Sequence, residues 1–374
     1  MKKILLGTTV VIALGAISSE AFAADKIKLE LGGFMRHYVG MIQDDEASNA
    51  GTNNTNRAMS FGQDSNTEVY FTGSTVLDNG LKVEATIELE GDGEEGGNST
   101  DASFVTVSGE TMGALSVGVT AHGADDFKID APNAGNFGYT DLDVWAQMAE
   151  GTGNNQAFTY TALVDWVGDN SVKMKYVSPT FNGVSAFASY SAAEGSDASD
   201  ADSFDRNTTS DGSTYGVTYN QDFSGVNVAA DLIQANMNGD AKSTHVGLNV
   251  TMSGFTVGGS YLIKDDDDGN TTSANEDSDG TMWDVGIAYA TGSYTVSASY
   301  ARAQNDGETD VTGENEDTVW RVAGTYDLGA GVALSATYFN AKRDSEDLVA
   351  APTTYLNGKS AHVSGLIAGI EVGF

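Results

Sequence analysis

The stretch Leu81-Lys82-Val83-Glu84-Ala85-Thr86-Ile87-Glu88-Leu89-Glu90 decides how this chain is read. Leu81, Val83, Ala85, Ile87 and Leu89 share one parity, and Lys82, Glu84, Thr86, Glu88 and Glu90 share the other. Successive side chains of a strand point to opposite faces, so this strand has one apolar and one charged face. The pattern returns at the end of the chain. There Leu366, Ala368, Ile370, Val372 and Phe374 stand opposite Gly365, Gly369, Glu371 and Gly373. No stretch of comparable length carries the i, i+3, i+4 spacing of an amphipathic helix.

Working outward, alternation predicts about sixteen strands, near residues 26–41, 67–77, 81–90, 102–108, 114–122, 171–178, 183–191, 213–222, 225–235, 242–252, 255–264, 282–290, 293–303, 318–328, 331–342 and 359–374. Their connections alternate between short and long. The short ones carry turn chemistry, as in Asp78-Asn79-Gly80, Ser224-Gly225, Ser253-Gly254 and Thr291-Gly292, where Asn and Gly tolerate the positive φ of tight hairpins. The long ones are polar and acidic: 42–66, 91–101, 123–170, 192–212, 236–241, 265–281, 304–317 and 343–358. This is an all-β, antiparallel, up-and-down meander.

A cylinder of that many strands is too wide to fill with Val, Ala and Leu, so the apolar face is expected to point outward into lipid. A transmembrane barrel satisfies its own backbone and needs no long apolar run. Tyr176, Tyr190, Tyr215, Tyr219, Tyr261, Tyr289, Tyr326, Tyr338 and Phe374 fall toward strand ends on that outer parity, as interfacial girdles do. The first residues fit export. Lys2 and Lys3 precede an apolar run from Ile4 to Ile17, followed by Ala21-Phe22-Ala23. We read 1–23 as a signal peptide, too short to span a bilayer comfortably, and 24–374 as one barrel domain.

The chain has no cysteine and only 3 prolines, so an extended hydrogen-bonded sheet has to supply its stability. Its 53 acidic against 18 basic residues, net −35, exclude the basic patch that nucleic-acid binding needs. That balance suits either an acidic solvated surface or a lumen and mouth that attract cations.

The long segment 123–170 contains Leu142, Val144, Trp145 and Met148 at near-helical spacing, with Trp166 further on. Its aromatic content points to packing, either folded inward against the barrel wall or as a lid on the outer rim. Folded inward, it brings Asp125, Asp126, Asp130, Asp141, Asp143, Glu150 and Asp165 toward a constriction. Strand phase puts Lys28, Arg36, Lys82, Lys173, Lys175 and Arg321 in the lumen, together with Glu84, Glu88, Asp231, Asp284 and Glu371. Fixed charge of both signs across a lumen sets a field and an ion preference, and the excess of acids predicts cations. The run Asp265-Asp266-Asp267-Asp268-Gly269-Asn270 fails the spacing of a calcium loop. His37, His122, His245 and His362 lie on separate strands with no metal or nucleophile motif, so no catalytic residue, metal or cofactor is expected.

The segment Leu29-Glu30-Leu31-Gly32-Gly33-Phe34-Met35-Arg36 resembles the first strand of Gram-negative general porins, particularly the alphaproteobacterial type. Val172-Lys173, Tyr176, Ser178-Pro179 and Phe181-Asn182-Gly183 are similar to the strand and turn that follow their inward loop, and Phe374 to their terminal insertion signal. The resemblance implies a trimer in the outer membrane among lipid and lipopolysaccharide, passing ions and small hydrophilic solutes through a constriction made by the third loop. On it, Arg36 and Lys82 match the basic wall cluster, and Asp141 and Asp143 the loop acids. The basic cluster is thinner here than the family pattern. A substrate-selective channel, or a barrel that carries an enzyme or adhesin, stays open beside this reading.

Overall fold

The computed structural model describes residues 26–44, 60–91, 100–135, 148–149, 155–156, 170–191, 211–237, 242–265, 279–306, 314–345 and 360–374. Residues 1–23, read above as a signal peptide, and Asp141, Asp143, Trp145, Glu150, Asp165 and Trp166 lie outside the described residues. So does the acidic run beyond Asp265.

The chain forms β1 Lys28–Asp44, β2 Ser60–Val76, β3 Lys82–Glu90, β4 Thr100–Gly109 and β5 Gly113–Thr120. A short helix α1, Gly123–Phe127, and a small hairpin of β6 Met148–Ala149 with β7 Asn155–Gln156 follow. Then come β8 Ser171–Val177, β9 Val184–Ser191, β10 Gly212–Phe223, β11 Val226–Met237, β12 Lys242–Met252 and β13 Phe255–Asp265. The chain ends with β14 Gly280–Thr291, β15 Tyr294–Asp306, β16 Glu314–Gly329, β17 Val332–Ser345 and β18 Ser360–Gly373. All strands except β6 and β7 join, antiparallel, in one closed barrel of sixteen. The seam pairs β1 with β18, Arg36 opposite Glu371. Reciprocal backbone bonds between Gly33 and Phe374, 3.1 and 3.0 Å, finish it. Closure leaves no open edge among these strands, which is what a backbone in hydrocarbon requires.

Local chemistry sets the hairpins. Ser224-Gly225 and Ser253-Gly254 both take positive φ at each central residue, the geometry whose twist matches two antiparallel strands. Parity sets the faces. Leu248, Val285, Val322 and Leu334 point out and are exposed, while Ser243, Asp284, Arg321 and Thr337 on the same strands point in and are buried. The outer aromatics form two levels. Trp283 to Tyr289, Tyr300 to Tyr294 and Trp320 to Tyr326 each span about 20 Å along their strands. Trp283 packs on Tyr300, Trp320 on Tyr338, and Tyr294 on Tyr326, with ring centroids 5.4, 5.2 and 4.5 Å apart.

Three details depart from the sequence reading. β2 begins at Ser60 rather than 67. Its ladder with β1 continues through Gln63, Asp64, Ser65 and Asn66, where polar residues on both faces hide the alternation. Among the described residues the helix of the third loop is Gly123–Phe127, and Met148, expected at a helical position, is in a strand, while 142–145 lie outside the described residues. The inner wall is also not charged throughout. Leu262, Met282, Val319, Phe339, Val363 and Ile367 form an inward apolar cluster, and β6 lies against β18.

Candidate functional site

Residues 122–135 run from the end of β5 across the inner wall as a strap. Each step is fixed to a different strand. Gly123 N donates to Ser189 Oγ on β9 at 3.3 Å, and Phe127 stacks on Phe187 of β9 at 5.0 Å. Ile129 N donates to Asp231 Oδ2 on β11 at 2.7 Å. The Asp130 carboxylate meets His245 Nε2 of β12 at 3.2 Å, while Asn249 Nδ2 donates to the Asp130 carbonyl at 3.1 Å. Ala131 N donates to both oxygens of Asp284 on β14, 3.1 and 3.0 Å. Ala134 N donates to Ser297 Oγ on β15 at 2.8 Å, and Thr325 Oγ1 of β16 donates to the Ala134 carbonyl.

The logic is one of satisfied donors. The strap is irregular backbone, and a buried N–H without an acceptor costs about 1–3 kcal/mol. Buried Asp231 and Asp284 supply acceptors of the stronger, charge-assisted kind. His245 ties the arrangement together, with Nδ1 2.8 Å from Asp231 and Nε2 toward Asp130. Burial tends to raise the Asp130 carboxyl, but Lys128 and the hydrogen bond from His245 outweigh it and hold it below the usual carboxylate range. Gly247 leaves space for the strap: a Cβ there would stand 2.0 Å from the Ile129 carbonyl oxygen.

The far wall is different. Glu68 of β2, Glu90 of β3 and Asp101 of β4 place carboxylate oxygens within 4.8 Å of one another, the arrangement among the described residues whose oxygens could share a cation. Tyr70 Oη donates to Glu68, and Asn170 Nδ2 to Asp101 at 2.8 Å. Glu88 is within electrostatic reach of Glu68, Asp101, Asp126 and Lys175. A β-bulge builds this group. The partner of β3 jumps from Ala102 at Glu88 to Thr100 at Leu89, so Asp101 is the extra residue.

The residues expected at a constriction divide into groups. Asp125 and Asp126 open α1; Asp125 meets His122 Nε2 at 3.0 Å and Asp126 meets Lys175 Nζ at 2.6 Å. Asp130 sits mid-strap beside Lys128, 3.9 Å away. Lys173 and Arg321 are inward and buried, donating to Ser171 Oγ at 2.6 Å and Ser299 Oγ at 3.3 Å. Arg36 pairs with Glu371 at 2.9 Å, its guanidinium 4.0 Å from the Phe34 ring centroid. Lys82 pairs with Glu84 at 2.5 Å beside the turn. Arg36 and Lys82 do not meet: they register with Asn66 and Val76 of the same strand, about 30 Å apart along it. Lys28, at the first position of β1, is exposed. The sequence reading passed over Glu68 and Asp101, placed Glu90 on the charged face without giving it a role, and treated His245 as isolated. Parity alone could have found Glu68.

A closed barrel with a lipid-facing exterior, a charged lumen and a strap pinned inside it is the construction of an outer-membrane channel. The sequence profile of the Gram-negative porin family matches residues 8–346, and the chain belongs to that family. Solved structures share the fold. OmpT, an outer membrane protein of Vibrio cholerae, gives a TM-score of 0.61 at 13% identity, covering 95% of this chain and 100% of that one. The outer membrane channel DcaP of Acinetobacter baumannii gives 0.57 at 14%, covering 96% and 100%. An anion-selective porin from Comamonas acidovorans gives 0.55 at 15%, covering 93% and 100%. No curated protein matches by sequence.

Proposed function

We propose that this porin is a non-enzymatic diffusion channel for ions and small hydrophilic solutes, and that it prefers cations. The carrying observation is the inward group Glu68, Glu90 and Asp101, with Glu88 close enough to feel the like charges of Glu68, Asp101 and Asp126. The fold does not dictate the sign, because an anion-selective porin shares it; this chain's lumen charges have to. Most inward bases are already engaged. Arg36 is held by Glu371, Lys82 by Glu84 and Lys175 by Asp126. β2, β3 and β4 carry Asp64, Glu68, Glu84, Glu88, Glu90 and Asp101 against the single base Lys82, so this wall is acidic.

On the same reading, residues 1–23 direct export and 24–374 assemble in the outer membrane among lipid and lipopolysaccharide. A homotrimer is supported by His37, Ser65 and Thr67, adjacent on the outer parity of β1 and β2. Polar groups there are costly against lipid and suit a subunit contact. The test is the reversal potential of purified protein in a planar bilayer under a potassium chloride gradient. The cation sign is expected, moving toward zero in Glu68→Gln/Asp101→Asn. An anion sign in the wild type overturns the preference.

A further inference from the structure

We propose that the hollow between the strap and the wall of β11–β14 binds a short-chain alkylammonium ion, a cation with one apolar tail. The hollow is open to solvent, and the roughly 540 Å³ of non-atom space there includes open solvent. It is two-faced. Ile233, Leu262 and Met282 line one side; all have the inward parity and all are buried. Further along the same strands that parity carries Asp231, Ser260 and Asp284, so the apolar patch is local. Inside a water-filled lumen such a patch gains nothing from water and gains about as much from each methylene it covers as a protein core does.

The other side is charged. Asp125 and Asp130 stand at the rim, each about one-third exposed. Buried His122 and His245 hold the two carboxylates at 3.0 and 3.2 Å. Lys128 is 3.9 Å from Asp130, looser than a direct charge-assisted hydrogen bond, so an incoming ammonium can compete for that oxygen. Asp231 also reaches His245, at 2.8 Å, so that ring sits between two carboxylates and Asp125 adds a third to the rim. A carboxylate-headed ligand meets repulsion there, and an alcohol lacks the charge term. The proposal rests on the channel reading, because the hollow is reached through the lumen.

The full chain, conducting potassium chloride in a planar bilayer, is exposed to methyl-, ethyl-, propyl- and butylammonium, with butyrate and butanol as controls. The half-blocking concentration is expected to fall about fourfold per added methylene, the factor that burial of one CH₂ supplies. Butyrate and butanol leave the current unchanged. Met282→Gln and, separately, Leu262→Asn flatten the series to less than about twofold per step while conduction persists. The proposal is overturned by a series without chain-length dependence, by an unchanged series in both variants, or by block with butyrate. A barrel that conducts nothing refutes the channel reading instead. Calorimetric titration of the detergent-solubilised protein with butylammonium then decides the hollow on its own: heat of saturable binding supports it and none overturns it.

Discussion

Replacing Gly247 by alanine should lift the strap from the wall. The added Cβ would lie 2.0 Å from the Ile129 carbonyl oxygen and 2.4 Å from Asp231 Oδ2. Ordinary contact needs about 3.4 Å or more, so the strap or the carboxylate has to retreat by roughly 1–1.5 Å in a close-packed wall. Either retreat breaks the 2.7 Å bond from Ile129 N to Asp231. A hydrogen bond to a charged group is worth about 1.5–3 kcal/mol, so the detached fraction should rise about tenfold to a hundredfold. The chain has no cysteine, which makes a reporter simple. In an Ala134→Cys background, the buried position reacts with a small water-soluble thiosulfonate only when the strap opens, and the rate follows the opening equilibrium when closing is fast. Gly324→Ala is the control, because its nearest neighbours stand at 3.6 and 3.7 Å. If Gly247→Ala and the control label at the same rate and conduct with the same open-channel noise, the strap is not held as argued.

Two further outcomes follow from the two faces of the sheet and from Asp130. Val285→Lys puts a charge on the lipid side between Trp283 and Tyr289 and should cost about 2–4 kcal/mol in urea unfolding from liposomes; a cost near zero would mean Val285 does not face hydrocarbon. Asp130 has a depressed folded-state pKa, so its contribution is present above the unfolded value and is lost only as pH falls through the folded one. The difference in single-channel conductance between wild type and Asp130→Asn should therefore hold steady from neutral pH down through the usual carboxylate range and close only in stronger acid. Asp130→Asn should show the altered conductance at neutral pH, and a midpoint near pH 6 that vanishes in Asp130→Asn contradicts the assignment.

The barrel was legible because its determinant is local. Alternation between Leu81 and Glu90 already says that one face is wet and the other is not, and the repetition of that pattern forces closure. Parity also sent Arg36, Lys173, Lys175, Arg321, Asp231 and Asp284 inward, as the structure has them. The path of the strap was not legible. Ile129 meets Asp231 and Ala131 meets Asp284 across more than a hundred residues of chain, and no local signal distinguishes these aspartates from other lumen acids. His245 was hidden for the same reason, since its two carboxylate partners come from the strap and β11. Asp101 was hidden because the reading left it in the connection 91–101, whereas the structure carries it into β4 as the residue of a bulge.

The strap and the acidic group divide the lumen between two tasks, and this can be tested. The strap is fixed to strands from β9 to β16, whereas Glu68, Glu90 and Asp101 lie on β2, β3 and β4. In the ring of strands β2 and β12 stand directly opposite one another, so Glu68 and Gly247 share no neighbour and their substitutions should add. A Gly247→Ala/Glu68→Gln chain should label at the Gly247→Ala rate and show the Glu68→Gln reversal potential. Lys175 is the place where the tasks meet, because its ammonium holds Asp126 of the strap at 2.6 Å and also faces Glu88. Lys175→Met frees two acids and one strap contact together, so it should strengthen cation preference and raise labelling at once. If Gly247→Ala by itself shifts the reversal potential as far as Glu68→Gln does, pore width and ion preference are set by one element, and the division of the lumen is wrong.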